Sequence, residues 1–254
     1  MQSLFSTIAG ATVRWHDLPG VGIPMVFIHG LGCASSYEYP RVAADPALRG
    51  RRAILIDLPG SGYSDKPRNF AFTTTQQAAV VMEVLDALDV KQLDLYGHSM
   101  GGSIAIEVAE QLSTRLRTLA VSEPNFHAGG GMFSRHVAAQ PETDFVASGF
   151  SALVEEERSA WKGCVQMTSP TAMWRGAKSL VDGISPSWMS RFLKLKCQRA
   201  LIFGEHCLPD EDATAVANAG IPLHVVPNAG HSMSWENPSA LAAILARIFI
   251  RNEG

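Results

Sequence analysis

The chain has 254 residues, a net charge of −3 and 46% hydrophobic residues. That length and apolar content suffice for one large domain with a substantial core, and the near-neutral balance argues against a nucleic-acid-binding surface or an anionic membrane as partner. Cys33, Cys164, Cys197 and Cys207 show no Cys-x-x-Cys spacing, which argues against a zinc site or a disulfide scaffold and fits a reducing, cytoplasmic setting. No stretch has the apolar length of a secretion signal or of the roughly 20-residue membrane span, so a soluble protein is expected.

Residues 3–16 alternate loosely between apolar and polar and close at Pro19 and Gly20, which predicts an antiparallel opening hairpin. Residues 24–28 and 53–56 are apolar at every position, the pattern of strands covered on both faces in a parallel sheet. Thr73, Thr74 and Thr75 offer an N-cap to a helix whose apolar face is Ala78, Val81, Leu85 and Leu88. A strand over 92–96, a helix over 103–112 and a strand over 118–122 follow, the last stopping at Glu123 and Pro124. This alternation predicts right-handed crossovers and a doubly wound α/β sheet.

From 125 to 191 the strand signal vanishes. Short helical patterns, the run Gly129, Gly130 and Gly131, and many large apolar side chains predict a helical cap inserted between core segments 1–124 and 192–254. Sheet-like alternation resumes with a strand over 199–204, a helix over 212–218, a strand over 222–226 and a final helix from Pro238 to about Arg251.

The motif that carries chemistry is Gly97, His98, Ser99, Met100, Gly101, set between the strand at 92–96 and the following helix. A serine at such a strand-to-helix turn adopts a strained backbone, and glycines two residues to either side remove side chains that would clash with neighbouring elements. Its hydroxyl is thereby lifted out of the sheet as a candidate nucleophile. A hydroxyl needs a general base and a group that orients that base. His231, after the last strand and before the last helix, has the position and the near-neutral titration for that role. Of the other histidines, His29 is expected to hold its own loop and His98 to turn its side chain away, while His16, His127, His136, His206 and His224 lack any matching spacing.

These motifs, with His29-Gly30-Leu31-Gly32 and the stretch from Asp57 through Gly60, Gly62 and Ser64, resemble those of α/β-hydrolase fold serine hydrolases. The resemblance covers nearly the whole chain outside the cap. It implies an eight-stranded, mostly parallel sheet and an oxyanion hole made of two backbone amides, here those of Leu31 and Met100. It also implies that Asp57 belongs to a structural loop, since it precedes the serine. No metal or cofactor is implied.

The sequence departs from the family pattern at the triad acid. The family places an aspartate three residues after the glycine that ends the seventh strand, but Gly204 is followed by Glu205, His206 and Cys207. Three carboxylates remain: Glu123 at the end of the sixth strand, Asp210 and Glu205. Glu123 is favoured because catalytic groups in open α/β sheets gather at the carboxyl ends of the strands.

Phe126, Phe133, Phe145, Phe150, Trp161, Met167, Met173, Trp174, Trp188, Met189 and Phe192 enrich the cap. Most are expected to pack it onto the core, and the surplus to line an apolar pocket. The expected function is a serine carboxylesterase-type enzyme for small, largely apolar esters, lactones or thioesters. Carbon–carbon bond hydrolysis, cofactor-free haloperoxidation and a ligand-sensing receptor on the same frame stand as alternatives. The sequence sets no oligomeric state.

Overall fold

The computed structural model describes residues 1–88 and 90–250. The apolar strand patterns assemble one eight-stranded sheet in the order β1-β2-β4-β3-β5-β6-β7-β8. Its strands are β1 (Gln2–Ser6), β2 (Ala11–Leu18), β3 (Val21–Ile28), β4 (Arg51–Asp57), β5 (Leu93–His98), β6 (Leu116–Ser122), β7 (Gln198–Gly204) and β8 (Leu223–Val226). β1 with β2, and β2 with β4, pair antiparallel, whereas the remaining neighbours are parallel.

The runs that are apolar at every residue are explained by two cores, one on each face. Val26, Ile28, Ile54 and Ile56 enter the first; the alternating Met25, Phe27, Ala53 and Leu55 enter the second. After β3 come the short helices α1 (Ser35–Glu38) and α2 (Pro40–Ala43), and β4 leads to α3 (Thr74–Ala87) and β5 to α4 (Met100–Leu112). Thr73 caps α3, its side chain accepting from the Gln76 N–H at 3.2 Å, a contact typically worth about 1 kcal/mol.

An inserted helical cap lies between β6 and β7. It carries α5 (Met132–Ala138), α6 (Glu142–Asp144), α7 (Phe150–Glu156), α8 (Lys162–Gln166) and α9 (Pro170–Asp182), and it leads into α10 (Trp188–Lys194). Val137, Phe145, Val165, Met173 and Ala177 form a small core of its own. Hydrogen bonds tie α9 to the sheet domain: the Thr74 N–H donates to Ser179 Oγ at 3.1 Å, the Ser169 N–H to Gly60 O at 2.8 Å and Arg175 Nη1 to Phe70 O at 2.8 Å.

The boundary expected at 191/192 falls inside α10. Trp188, Met189 and Phe192 pack in the first core of the sheet domain, and Trp188 Nε1 donates to Glu107 of α4 at 2.9 Å. α10 therefore packs as part of the sheet domain. The chain ends through α11 (Glu211–Asn218), α12 (Met233–Glu236) and α13 (Pro238–Ile250). Arg251, where the last helix is expected to end, lies outside the described residues.

Candidate active site

Strand register assembles the site. The order β4-β3-β5 makes β3 the point where the winding reverses, the place where open α/β sheets form a crevice at their carboxyl edge. Ile28 lies opposite Gly97, so the loop that leaves β3 meets the turn that leaves β5. At that turn Ser99 has φ 53° and ψ −124°, a conformation that costs a non-glycine residue about 1–3 kcal/mol. A Cβ on Gly101 would sit 2.4 Å from the carbonyl oxygens of Ile28 and His29, and one on Gly97 would sit 2.3 Å from Gly101 O. Only glycines let the strand, the turn and α4 come this close.

On the other side, His98 pairs with Ser122, and the Ser99 N–H donates to Ser122 O at 2.9 Å. Glu123 thus leaves β6 beside Ser99, itself at a positive φ of 40°. Its carboxylate bridges two elements. Oε1 accepts from the Gly204 N–H at 2.8 Å, and Oε2 lies 2.5 Å from His231 Nδ1. The His231 loop packs directly over the end of β7, where a Cβ on Gly204 would meet Gly230 O at 2.3 Å. Burial pushes the Glu123 carboxyl up, but the hydrogen bond and charge of His231 and the Gly204 N–H outweigh it and hold the group below the usual carboxylate range. With an ionised acceptor at Nδ1, the neutral imidazole carries its proton there and leaves the Nε2 lone pair to take a proton from a hydroxyl.

The other two acid candidates have structural partners. Asp210 caps α11, accepting from the Ala213 N–H at 2.8 Å, and Glu205 accepts from the Asn228 N–H at 2.8 Å. Cys207, at the position where the family carries its aspartate, hydrogen-bonds with Glu123; burial and that carboxylate push its thiol up to about 12. Asp57 holds a loop, accepting from the Ser36 N–H at 2.9 Å, the Ser36 hydroxyl at 2.7 Å and the Tyr63 N–H at 2.9 Å. His29 does likewise, its Nδ1 2.8 Å from Gly30 O and its Nε2 accepting from the Leu58 N–H.

His98 does not turn away as expected. Strand period two puts it on the same face of β5 as Tyr96, and both bond Ser122 Oγ, at 2.9 and 2.8 Å. Its ring centroid lies 4.6 Å from that of His231. Burial first, and the neighbouring His231 second, lower its titration to about 3, so it is neutral in the physiological range.

Ser99, His231, Glu123 and Leu31 line one cavity of about 520 Å³. Met100 follows Ser99 as the first residue of α4, and its N–H is one of those that a helix leaves without an intrahelical acceptor. Apolar wall comes from Leu31, Met132, Phe133, Trp161, Leu180 and Phe203. Phe145 and Met173 of the cap, and Trp188 and Phe192 of α10, are instead wholly interior. The acidic groups Glu38, Glu123, Asp210 and Asp212 also line the cavity, with no Lys or Arg among its described lining residues. Among the described residues, no cluster of three His, Cys, Asp or Glu side chains is arranged to hold a metal.

The sequence reading missed Glu38, a lone charge between two tyrosines. Its side chain is buried, and Oε1 accepts from the Ser234 hydroxyl at 2.7 Å. Burial pushes its carboxyl up to about 7, opposed by Ser234, Cys33, His231 and Tyr39.

The α/β hydrolase fold family model matches residues 23–160, more than half of the chain. The chain belongs to the α/β-hydrolase fold family. Among curated proteins, it is 34% identical over 114 residues to a 2-hydroxymuconate semialdehyde hydrolase of Pseudomonas sp. (strain CF600); that match covers 44% of this chain and 40% of the relative. The match thus spans well under half of that relative's length. A 2-succinyl-6-hydroxy-2,4-cyclohexadiene-1-carboxylate synthase of Enterobacter sp. (strain 638) is 26% identical over 244 residues, 89% of this chain and 92% of the relative. Among solved structures, a thermophilic esterase from Thermogutta terrifontis superposes with a TM-score of 0.78 at 20% identity, covering 99% of this chain and 98% of the other. The N-acyl homoserine lactonase AidH superposes with a TM-score of 0.74 at 23% identity, covering 99% and 96%. No helix among the described residues is long and apolar enough to cross a membrane.

Proposed function

We propose that this α/β-hydrolase is a cytoplasmic serine carboxylesterase that cleaves esters or lactones of small, neutral, largely apolar substrates. The observation that carries the reading is the 2.5 Å contact of Glu123 with His231 Nδ1 in the same cavity as the strained Ser99. In this mechanism Ser99 Oγ attacks the carbonyl carbon while His231 Nε2 takes its proton. The Leu31 and Met100 N–H groups receive the developing oxyanion, each worth a few kcal/mol. His231 returns the proton to the leaving alcohol, and water then resolves the acyl-enzyme by the same route.

Charge around the cavity favours neutral substrates over anionic ones. Glu38, Glu123, Asp210 and Asp212 face a ligand with no Lys or Arg among the described lining residues, so a substrate carboxylate meets repulsion and finds no guanidinium partner. This weighs against the carboxylate chemistry named for the Enterobacter relative. The apolar wall and the cavity size, within the usual few-hundred-Å³ range, suit a short or medium acyl chain under the cap.

The test is steady-state hydrolysis of p-nitrophenyl esters and γ-lactones of graded chain length, with Ser99→Ala as control. Multiple turnover that disappears in Ser99→Ala, together with labelling of Ser99 by a fluorophosphonate, is the expected result. Tight ligand binding without turnover would instead favour a receptor on the hydrolase frame.

A further inference from the structure

Asn125 follows Glu123 and Pro124 and lines the same cavity as Ser99 and His231, yet the mechanism above makes no use of it. Its backbone is pinned at three successive residues. Pro124 abuts the first turn of α4, where a Cβ on Gly102 would meet the Pro124 Cβ at 2.8 Å. Asn125 O accepts from the Ser103 hydroxyl at 2.8 Å, and Phe126 O accepts from the Met189 N–H at 3.0 Å. Ser103 stands one helical turn, about 5 Å, beyond Ser99 along α4, so Asn125 is anchored within a short acyl chain's length of the nucleophile. Only the carboxamide is uncommitted. The residue is half-buried, neither Oδ1 nor Nδ2 has a hydrogen-bond partner among the described residues, and neither atom is sealed in the interior. Gly131, also on the cavity wall, keeps the space beside Nδ2 open: the nearest atom to a Cβ placed there is Asn125 Nδ2, at 3.9 Å. With φ −80° and ψ 176°, Gly131 has a backbone any residue can adopt, so what the glycine supplies is room.

Resting on the serine-hydrolase reading, we propose that Asn125 is a specificity residue: its Nδ2 donates a hydrogen bond to a second carbonyl oxygen of the substrate, distinct from the one at the carbon Ser99 attacks. A neutral carbonyl fits because the carboxamide N–H₂ is an uncharged donor. A carboxylate in its place would be repelled by Glu38, Glu123, Asp210 and Asp212 around the cavity. Keto esters carry such an oxygen on the acyl side, and esters of amide-bearing alcohols carry it on the leaving-group side. The enzyme then prefers these substrates over their plain counterparts. A hydrogen bond between neutral groups corresponds to about 3–10-fold in kcat/KM.

The experiment measures kcat/KM for ethyl 3-oxobutanoate, 4-oxopentanoate and 5-oxohexanoate against ethyl butanoate, pentanoate and hexanoate, and for 2-acetamidoethyl butanoate against pentyl butanoate. A keto or amide group also alters the intrinsic reactivity of the ester, so the readout is the change in each ratio between wild type and variant. Asn125→Leu removes both polar atoms; Asn125→Asp keeps the shape and an accepting oxygen but loses the donor. For at least one pair, the ratio is expected to fall by about 3–10-fold in both variants, and the pair affected places the carbonyl on the acyl or the alcohol side. Ratios unchanged in both variants overturn the proposal. A ratio that falls in Asn125→Leu but persists in Asn125→Asp overturns it as well, since the donor is then not what binds. Loss of activity on plain and carbonyl-bearing esters alike, at constant ratio, marks a purely structural role and is equally fatal. Calorimetric affinity of Ser99→Ala for the same pairs, with Asn125 intact and with Asn125→Leu added, reads the preference without turnover. Turnover by wild type without that preference sinks the subsite alone; the preference without turnover sinks the hydrolase reading alone.

Discussion

Replacing Glu123 by glutamine discriminates most sharply among the three carboxylates. The Gly204 N–H points at Oε1 from 2.8 Å, and His231 Nδ1 lies 2.5 Å from Oε2. An amide has a single oxygen, and the buried backbone donor claims it, since leaving that N–H unpaired costs about 1–3 kcal/mol. The amide N–H₂ then faces Nδ1, which must become an acceptor. The imidazole proton moves to Nε2, the nitrogen that has to receive the Ser99 proton. A base held in the wrong tautomer loses about four orders of magnitude in kcat in a comparable triad, and a loss of 10³- to 10⁴-fold is expected in ester hydrolysis by Glu123→Gln. Melting temperature should change little, because size and the Gly204 contact are kept. Asp210→Asn retains a good N-cap for α11 and should stay within a few-fold of wild type, as should Glu205→Gln. If Glu123→Gln keeps more than a tenth of wild-type kcat, or Asp210→Asn loses as much, the acid is not Glu123.

Gly101→Ala drives a Cβ to 2.4 Å from two backbone carbonyls, which no side-chain rotation relieves; a melting temperature lower by about 10 °C is expected, and a fully stable variant would show that the turn is looser than described. Trp188→Phe removes the donor to buried Glu107 Oε1 and should cost about 1–3 kcal/mol in urea unfolding with kcat retained, an outcome refuted if stability is unchanged. Glu38 links pH to stability. Its carboxyl titrates at about 7 in the fold against an ordinary 4.5, so between these values the unfolded chain binds fewer protons and stability falls as pH rises, by up to about 3 kcal/mol. Glu38→Gln should therefore gain on wild type between pH 5 and pH 8 in urea unfolding; a pH-independent difference would refute the assignment.

Much of the fold was legible because the signals are local. Residues 24–28 and 53–56, apolar at every position, admit little but strands with both faces covered, and the two cores on either side of the sheet are what they imply. The turn at Ser99 was legible for the same reason, its glycines bracketing the serine in five residues. The choice among Glu123, Asp210 and Glu205 was not, because it depends on what each carboxylate meets across the sheet; a cap at Ala213 and a turn at Asn228 occupy two of them. The expected boundary at 191/192 cuts through α10 because the apolar spacing of Trp188, Met189 and Phe192 reads identically whether that helix packs on the cap or on α4. The turned-away His98 failed on strand parity, which a residue at the very end of β5 does not advertise. Glu38 was invisible for the plainest reason: the hydroxyl that meets it arrives 196 residues later.

The position of Glu123 just after β6 also divides labour within the chain. Nucleophile and proposed acid leave adjacent strands of a single strand–helix–strand unit, β5-α4-β6, locked together by the Ser99 N–H on Ser122 O. With Glu123 as the acid, the connection from β7 to α11 carries no proton-transfer group while still forming one wall of the cavity through Cys207 and Asp210. Substitutions and length changes in that connection can remodel what the cavity admits without moving the proton-transfer groups, which makes it the natural segment in which to diversify selectivity.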